Sequence, residues 1–253
     1  MQVVGRHALV TGGGSGVGRA VAFALADAGV TVTICGRRLE PLQEVAGERA
    51  NIFALSADVT DQASVEGLYR QAEAERGPFD IVVANAGIAM SAPAAKTSLE
   101  DWNKTLQVNL TGAFLTVQPA LAGMAARKSG RVIFIASVAG LKGYAYVAPY
   151  VASKHGLIGL MRSLAVELVR TGVTVNAVCP GYVETDMLEQ SVARIVEKTG
   201  RSAAEARASL LAQNPHGRFI QPEEVAAAVL WLCGPGAASV TGQAISISGG
   251  ETW

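Results

Sequence analysis

Short apolar runs rich in β-branched residues alternate with helix-like patterns from one end of the chain to the other. Strands are expected near His7–Thr11, Thr31–Gly36, Asn51–Ala57, Asp80–Asn85, Arg131–Ser137, Val173–Cys179 and Gln243–Ser248. Helical patterns lie between them at Val17–Ala28, Leu39–Arg49, Gln62–Arg76, Leu99–Arg127, Pro149–Arg170 and Pro222–Cys233. Regular alternation leaves few architectures open. Parallel strands joined by right-handed helical crossovers give an α/β fold, a doubly wound sheet with helices on both faces. The 253 residues suffice for one such domain, and no linker or repeat divides them.

The first turn narrows the reading. Thr11-Gly-Gly-Gly-Ser-Gly-Val-Gly18 follows a strand and opens a helix. Glycines let backbone approach a pyrophosphate, and the helix N-terminus supplies N–H groups and a positive dipole end. A dinucleotide site is therefore expected over Thr11, Gly12, Ser15, Gly16, Val17 and Gly18. The second strand then ends at Gly36, where such folds place an acid for the ribose 2′-hydroxyl. Arg37 and Arg38 follow it, and guanidinium forks suit a 2′-phosphate. NADP(H) is thus favoured, with NAD(H) possible. Asp58, beside Val59, suits either an adenine amino group or the cap of the next helix. Asn85-Ala86-Gly87 ends the fourth strand with small residues that let a cofactor pass.

The reacting groups are read from Ser137 to Lys154. Tyr150 and Lys154 sit at i and i+4 on a helix that Pro149 opens, so they share a face. Ser137 closes the strand before them. A phenol has a pKa of about 10, and a nearby ammonium lowers it. Such a phenol gives a proton to a carbonyl oxygen or takes one from an alcohol. A serine hydroxyl beside it holds the same oxygen. Asn109 is a polar residue in a mainly apolar helical stretch, where it competes for backbone bonds and bends the helix. Met90, Leu141, Tyr144, Tyr146, Tyr182 and Met187 are candidates to line an apolar substrate pocket. Residues 186–217 lack a strand and are long for an α/β connection, which fits a substrate lid, a solvated helical pair, or both.

Composition excludes several classes. Basic and acidic residues balance at 21 each with no basic block, so neither nucleic acid nor an anionic membrane surface is an expected partner. No apolar run approaches the ~18 residues of a membrane span. Cys35, Cys179 and Cys233 are scattered without a C-x-x-C pair, which argues against a disulfide frame or a metal site. No secretory h-region precedes the first strand, and a cytoplasmic location is expected.

Together these residues identify a resemblance to the short-chain dehydrogenase/reductase family over essentially the whole chain. It is carried by Thr11-Gly12-x-x-x-Gly16-x-Gly18, Asn85-Ala86-Gly87, Asn109, Ser137, Tyr150-x-x-x-Lys154 and Pro180-Gly181 with Thr185. The resemblance implies a seven-stranded Rossmann sheet and hydride transfer to or from a nicotinamide. It implies Tyr150 as acid/base, Ser137 orienting the carbonyl, and Lys154 lowering the Tyr150 pKa while bonding the nicotinamide ribose. It implies Asn109 holding a relay water, and Pro180, Gly181, Val183 and Thr185 beside the cofactor. Ala148–Gly156 and Leu168–Gly181 look most like bacterial 3-oxoacyl thioester reductases and type II polyketide ketoreductases. Ile88–Ala95 departs from the latter, which carry Pro-Gly-Gly there. The expected activity is reduction of a 3-oxoacyl thioester or related β-keto compound. The rivals are an NAD(H)-linked secondary alcohol dehydrogenase and a dinucleotide-sensing protein.

A homotetramer is also expected. One interface would use the last strand, the helix Pro222–Cys233 and Trp253. A second would use the Leu99–Arg127 and Pro149–Arg170 helices.

Overall fold

A computed structural model describes residues 3–252; Trp253 lies outside the described residues. One parallel sheet runs through it. Its strands are β1 (His7–Thr11), β2 (Thr31–Gly36), β3 (Ile52–Ser56), β4 (Ile81–Ala84), β5 (Gly130–Ile135), β6 (Val173–Pro180) and β7 (Ala244–Ile247). Their order across the sheet is β3-β2-β1-β4-β5-β6-β7. β1 pairs with β2 on one side and β4 on the other, so the winding direction reverses between β1 and β4. A crevice opens above the strand C-termini at such a reversal.

Alternation of side chains divides the core in two. Leu9, Val82, Val132 and Phe134 face one way, against α3 (Gln62–Arg76), α5 (Gly112–Ala126) and α6 (Ala148–Leu168). Ala8, Val10, Ile34, Ile81 and Ile133 face the other way, against α1 (Gly16–Asp27), α2 (Leu39–Gly47) and α9 (Pro222–Cys233). Both strand faces are covered, which is why the strands read as continuous apolar runs.

The pattern at Leu99–Arg127 is not one regular helix. α4 (Leu99–Leu106) and α5 flank a widened turn, Gln107–Thr111, with π-type bonding. Asn109 sits inside that turn, where the sequence predicted a bend. Between β6 and α9 lie α7 (Asp186–Thr199) and α8 (Ala203–Leu211), a helical pair. The other element ends fall within two residues of expectation. No helix among the described residues is long and apolar enough to cross a membrane.

Candidate active site

A cleft of about 350 Å³ lies at the winding reversal. The glycine turn forms one side. Gly12 and Gly16 have φ of +67° and +51°, in the left-handed region that favours glycine. Gly18 has a different reason: a Cβ there would lie 2.2 Å from the Gly12 carbonyl oxygen, so α1 reaches β1 only without a side chain. Ser15 begins α1 but makes no side-chain cap, and Ser15, Gly16, Val17 and Gly18 face the cleft. This is a cradle that fits a pyrophosphate.

Asn85 and Thr11 hold the floor. The Thr11 hydroxyl accepts from the backbone N–H groups of Asn85 and Ala86, both at 3.0 Å. The Asn85 amide donates to the Thr11 carbonyl at 2.8 Å. Thr11 is buried and acts through these bonds, while Asn85, Ala86 and Gly87 line the cleft. Asn109 stands behind this loop. Its side-chain oxygen accepts from Ile88 N–H at 2.8 Å, and its amide donates to Ile88 C=O at 2.9 Å and to Ser153 Oγ at 3.0 Å. Asn109 therefore joins the β4 loop to α6.

Ser137, Tyr150 and Lys154 meet at the other end of the cleft. Ser137 Oγ accepts from Ala139 N–H at 3.1 Å. Lys154 Nζ donates to the Ile135 carbonyl at 2.8 Å and lies 5.6 Å from the Tyr150 ring centre. Burial lowers the Lys154 pKa to about 8. Burial is also the largest influence on Tyr150 and raises its pKa, while a hydrogen bond with Ser137 pulls it down. Burial, not the Lys154 ammonium, therefore sets the direction of the shift at the phenol.

Pro180, Gly181, Tyr182, Val183 and Thr185 complete the wall. The buried Asn214, between α8 and α9, brackets Tyr182: it accepts from Tyr182 N–H at 3.2 Å and donates to Tyr182 C=O at 3.0 Å. On α7, Met187, Leu188 and Ser191 line the cleft. Arg194 donates to Ala89 C=O at 2.5 Å, tying α7 to the β4 loop.

Three substrate candidates need correcting. Tyr144, Tyr182 and Met187 line the cleft; Met90, Leu141 and Tyr146 do not. Leu141 packs against the core. Tyr146 has φ +68° and is 67 % exposed, with its ring outside the cleft lining. Ala89, Val138, Ala139 and Val147 line the cleft instead; small or β-branched residues in loops carry no signal that marks them for a pocket. Arg37 and Arg38 are exposed beyond the β2 end and outside the cleft lining. Asp58 accepts from the N–H and hydroxyl of Thr60, which holds its carboxyl below the usual range, with a further contribution from Arg37. Asp61, not Asp58, caps α3. Val59 is buried against Gly112.

The chain matches the family model described as short chain dehydrogenase over residues 6–195. The 3-oxoacyl-(acyl-carrier-protein) reductase FabG of Aquifex aeolicus is 39 % identical, covering 99 % of this chain and 98 % of that protein. The D-beta-hydroxybutyrate dehydrogenase of Cupriavidus necator is 36 % identical, covering 97 % of each. A crystal structure of an actinorhodin polyketide ketoreductase variant with NADPH superposes with a TM-score of 0.94, at 39 % identity and 97 % coverage of both chains.

Proposed function

Because the chain belongs to the short-chain dehydrogenase family, we propose that it is an NADP(H)-dependent ketoreductase acting on a 3-oxoacyl thioester or a related β-keto compound. The observation that carries this is the meeting of Ser137, Tyr150 and Lys154 at one end of a cleft whose other end is the glycine turn. NADPH, when bound there, supplies the hydride. Ser137 Oγ and the Tyr150 hydroxyl receive the ketone oxygen, and Tyr150 passes its proton to that oxygen as the alcohol forms. Lys154 sits beside the phenol with its ammonium near neutrality in pKa, suited to return a proton. Thr11, Gly12, Ser15, Gly16, Val17, Gly18, Asn85, Ala86, Gly87 and the Pro180–Thr185 loop would hold the cofactor. Arg37 and Arg38 would take its 2′-phosphate, and the 2′-phosphate distinguishes NADP(H) from NAD(H).

The lining also bears on the substrate. Val138, Ala139, Tyr144, Val147, Met187 and Leu188 offer an apolar surface. Lys154 is the one cationic side chain among the described lining residues, and it is bonded to Ile135. A neutral acyl thioester fits this surface better than a free keto acid, whose carboxylate would find no partner. α7 and α8 form a lid over the acyl chain, hinged between the Arg194–Ala89 contact and Asn214. The enzyme is read as a cytoplasmic homotetramer. This rests on three buried free thiols, on β7 at the sheet edge, and on exposed Trp231 of α9 and Trp102 of α4. A panel of β-keto thioesters, free keto acids and simple ketones, assayed with NADPH and NADH in both directions, tests the reading. Oxidation of hydroxy acids with NAD as the one productive pairing would establish the alcohol dehydrogenase reading in its place.

A further inference from the structure

A second phenol shares the cavity with Tyr150. Tyr144 and Tyr150 both line the cleft. A free hydroxyl there would be a rival donor for a ketone oxygen. It is not free. Tyr144 Oη donates to Glu251, just after β7. Lys142 Nζ lies 3.0 Å from the same carboxylate oxygen and 4.9 Å from the centre of the Tyr144 ring. The Glu251 side chain is only 3 % exposed. A carboxylate so buried requires these partners. Its backbone is fixed as well, since Glu251 N–H donates to Ser248 Oγ at 3.2 Å. Its second oxygen has no partner and lies against Gly181: a Cβ on that glycine would stand 3.2 Å from it.

We propose that Glu251 is a positioning residue that commits the Tyr144 proton to a carboxylate, so that Tyr144 does not compete with Tyr150 for the substrate ketone and one face of the carbonyl is presented. The proposal rests on the ketoreductase reading. A hydrogen bond to a carboxylate is stronger than one to a neutral carbonyl, so a substrate does not displace it easily. Burial, the bond to Glu251 and its charge all raise the Tyr144 pKa, so the proton remains there to be committed. The Lys142–Tyr144 segment belongs to the loop between Ser137 and Tyr150, so the brace ties the segment after β7 to the reacting groups. Without it, the Tyr144 hydroxyl turns into the cavity and holds the ketone in a second pose, with the opposite face toward the hydride.

The test uses whichever prochiral ketone the wild-type enzyme reduces fastest, with the ratio of alcohol enantiomers as readout. Glu251→Leu is expected to lower that ratio by about tenfold or more, within the range that a lost polar contact gives. Removing the rival hydroxyl in Glu251→Leu/Tyr144→Phe restores it. A ratio unchanged in Glu251→Leu overturns the proposal. So does a double variant as unselective as Glu251→Leu, since that is what mere packing damage would give. Should Glu251→Leu not fold, Glu251→Gln, which keeps the shape and loses the charge, takes its place: the ratio is expected to fall, and an unchanged ratio overturns the proposal. A wild-type enzyme inert toward β-keto thioesters but active on another ketone refutes the substrate class and leaves this comparison standing.

Discussion

Replacing Asn109 with alanine removes three hydrogen bonds at once, at 2.8, 2.9 and 3.0 Å. The amide is 1 % exposed, so no water replaces it easily. Each such bond contributes about 1 kcal/mol net, and both Ile88 backbone groups lose a partner in a half-buried loop. The expected loss is about 3 kcal/mol, within a range of about 2–5. For a chain of this size that lowers the Tm by roughly 6–12 °C. Urea unfolding gives the free energy and calorimetry the Tm. The effect should also reach the site, because Ile88 continues the Asn85–Gly87 lining. NADPH affinity, measured by fluorescence titration of folded protein, should weaken. A Tm within about 2 °C of wild type would refute the reasoning, since it would mean that the amide does not clamp the loop.

Tyr150→Phe removes the proton donor, and kcat for ketone reduction should fall by about 10²–10⁴, far more than NADPH affinity changes; single-turnover kinetics would expose a smaller loss. Arg37→Asp should lower kcat/KM with NADPH at least about tenfold relative to NADH, because a carboxylate repels a 2′-phosphate. An unchanged ratio would place the 2′ site elsewhere. The Lys154 pKa of about 8 gives a pH signature: the ammonium is present below that value and lost above it, so NADPH affinity should weaken as pH rises through about 8. A flat profile from pH 7 to about 9.5 would separate Lys154 from cofactor binding. Hydrogen exchange should show 186–217 less protected than the sheet in free protein, and more protected with cofactor and substrate. Protection indifferent to ligand would make the helical pair a fixed insertion.

The sequence carried the sheet and one end of the cleft because both are written locally. Leu9 and Val10 face opposite cores by strict alternation. Tyr150 and Lys154 share a face by helical spacing. The turn at Gln107–Thr111 was half visible: a polar Asn109 announced the bend, but not that its amide would reach Ile88 across the fold. Pocket walls were the least legible part. Tyr144 and Tyr146 are two residues apart and alike in type, yet one lines the cleft and the other is exposed. Asn214 and Glu251 gave no sign, since each acts through a partner far away in the chain.

The reversal of winding at β1 has a consequence for how the protein forms. Ala8 must pair with both Val32 and Ile81, the second far along the chain. Every strand pairing in the sheet is parallel, so each must await a crossover before it closes. Long-range pairing of this kind slows folding and leaves apolar strand edges open on the way. The crevice between β1 and β4 cannot exist before β4 docks. Added NADPH should therefore protect the finished protein without speeding the early collapse, and low temperature or a chaperone should raise refolding yield more than cofactor does.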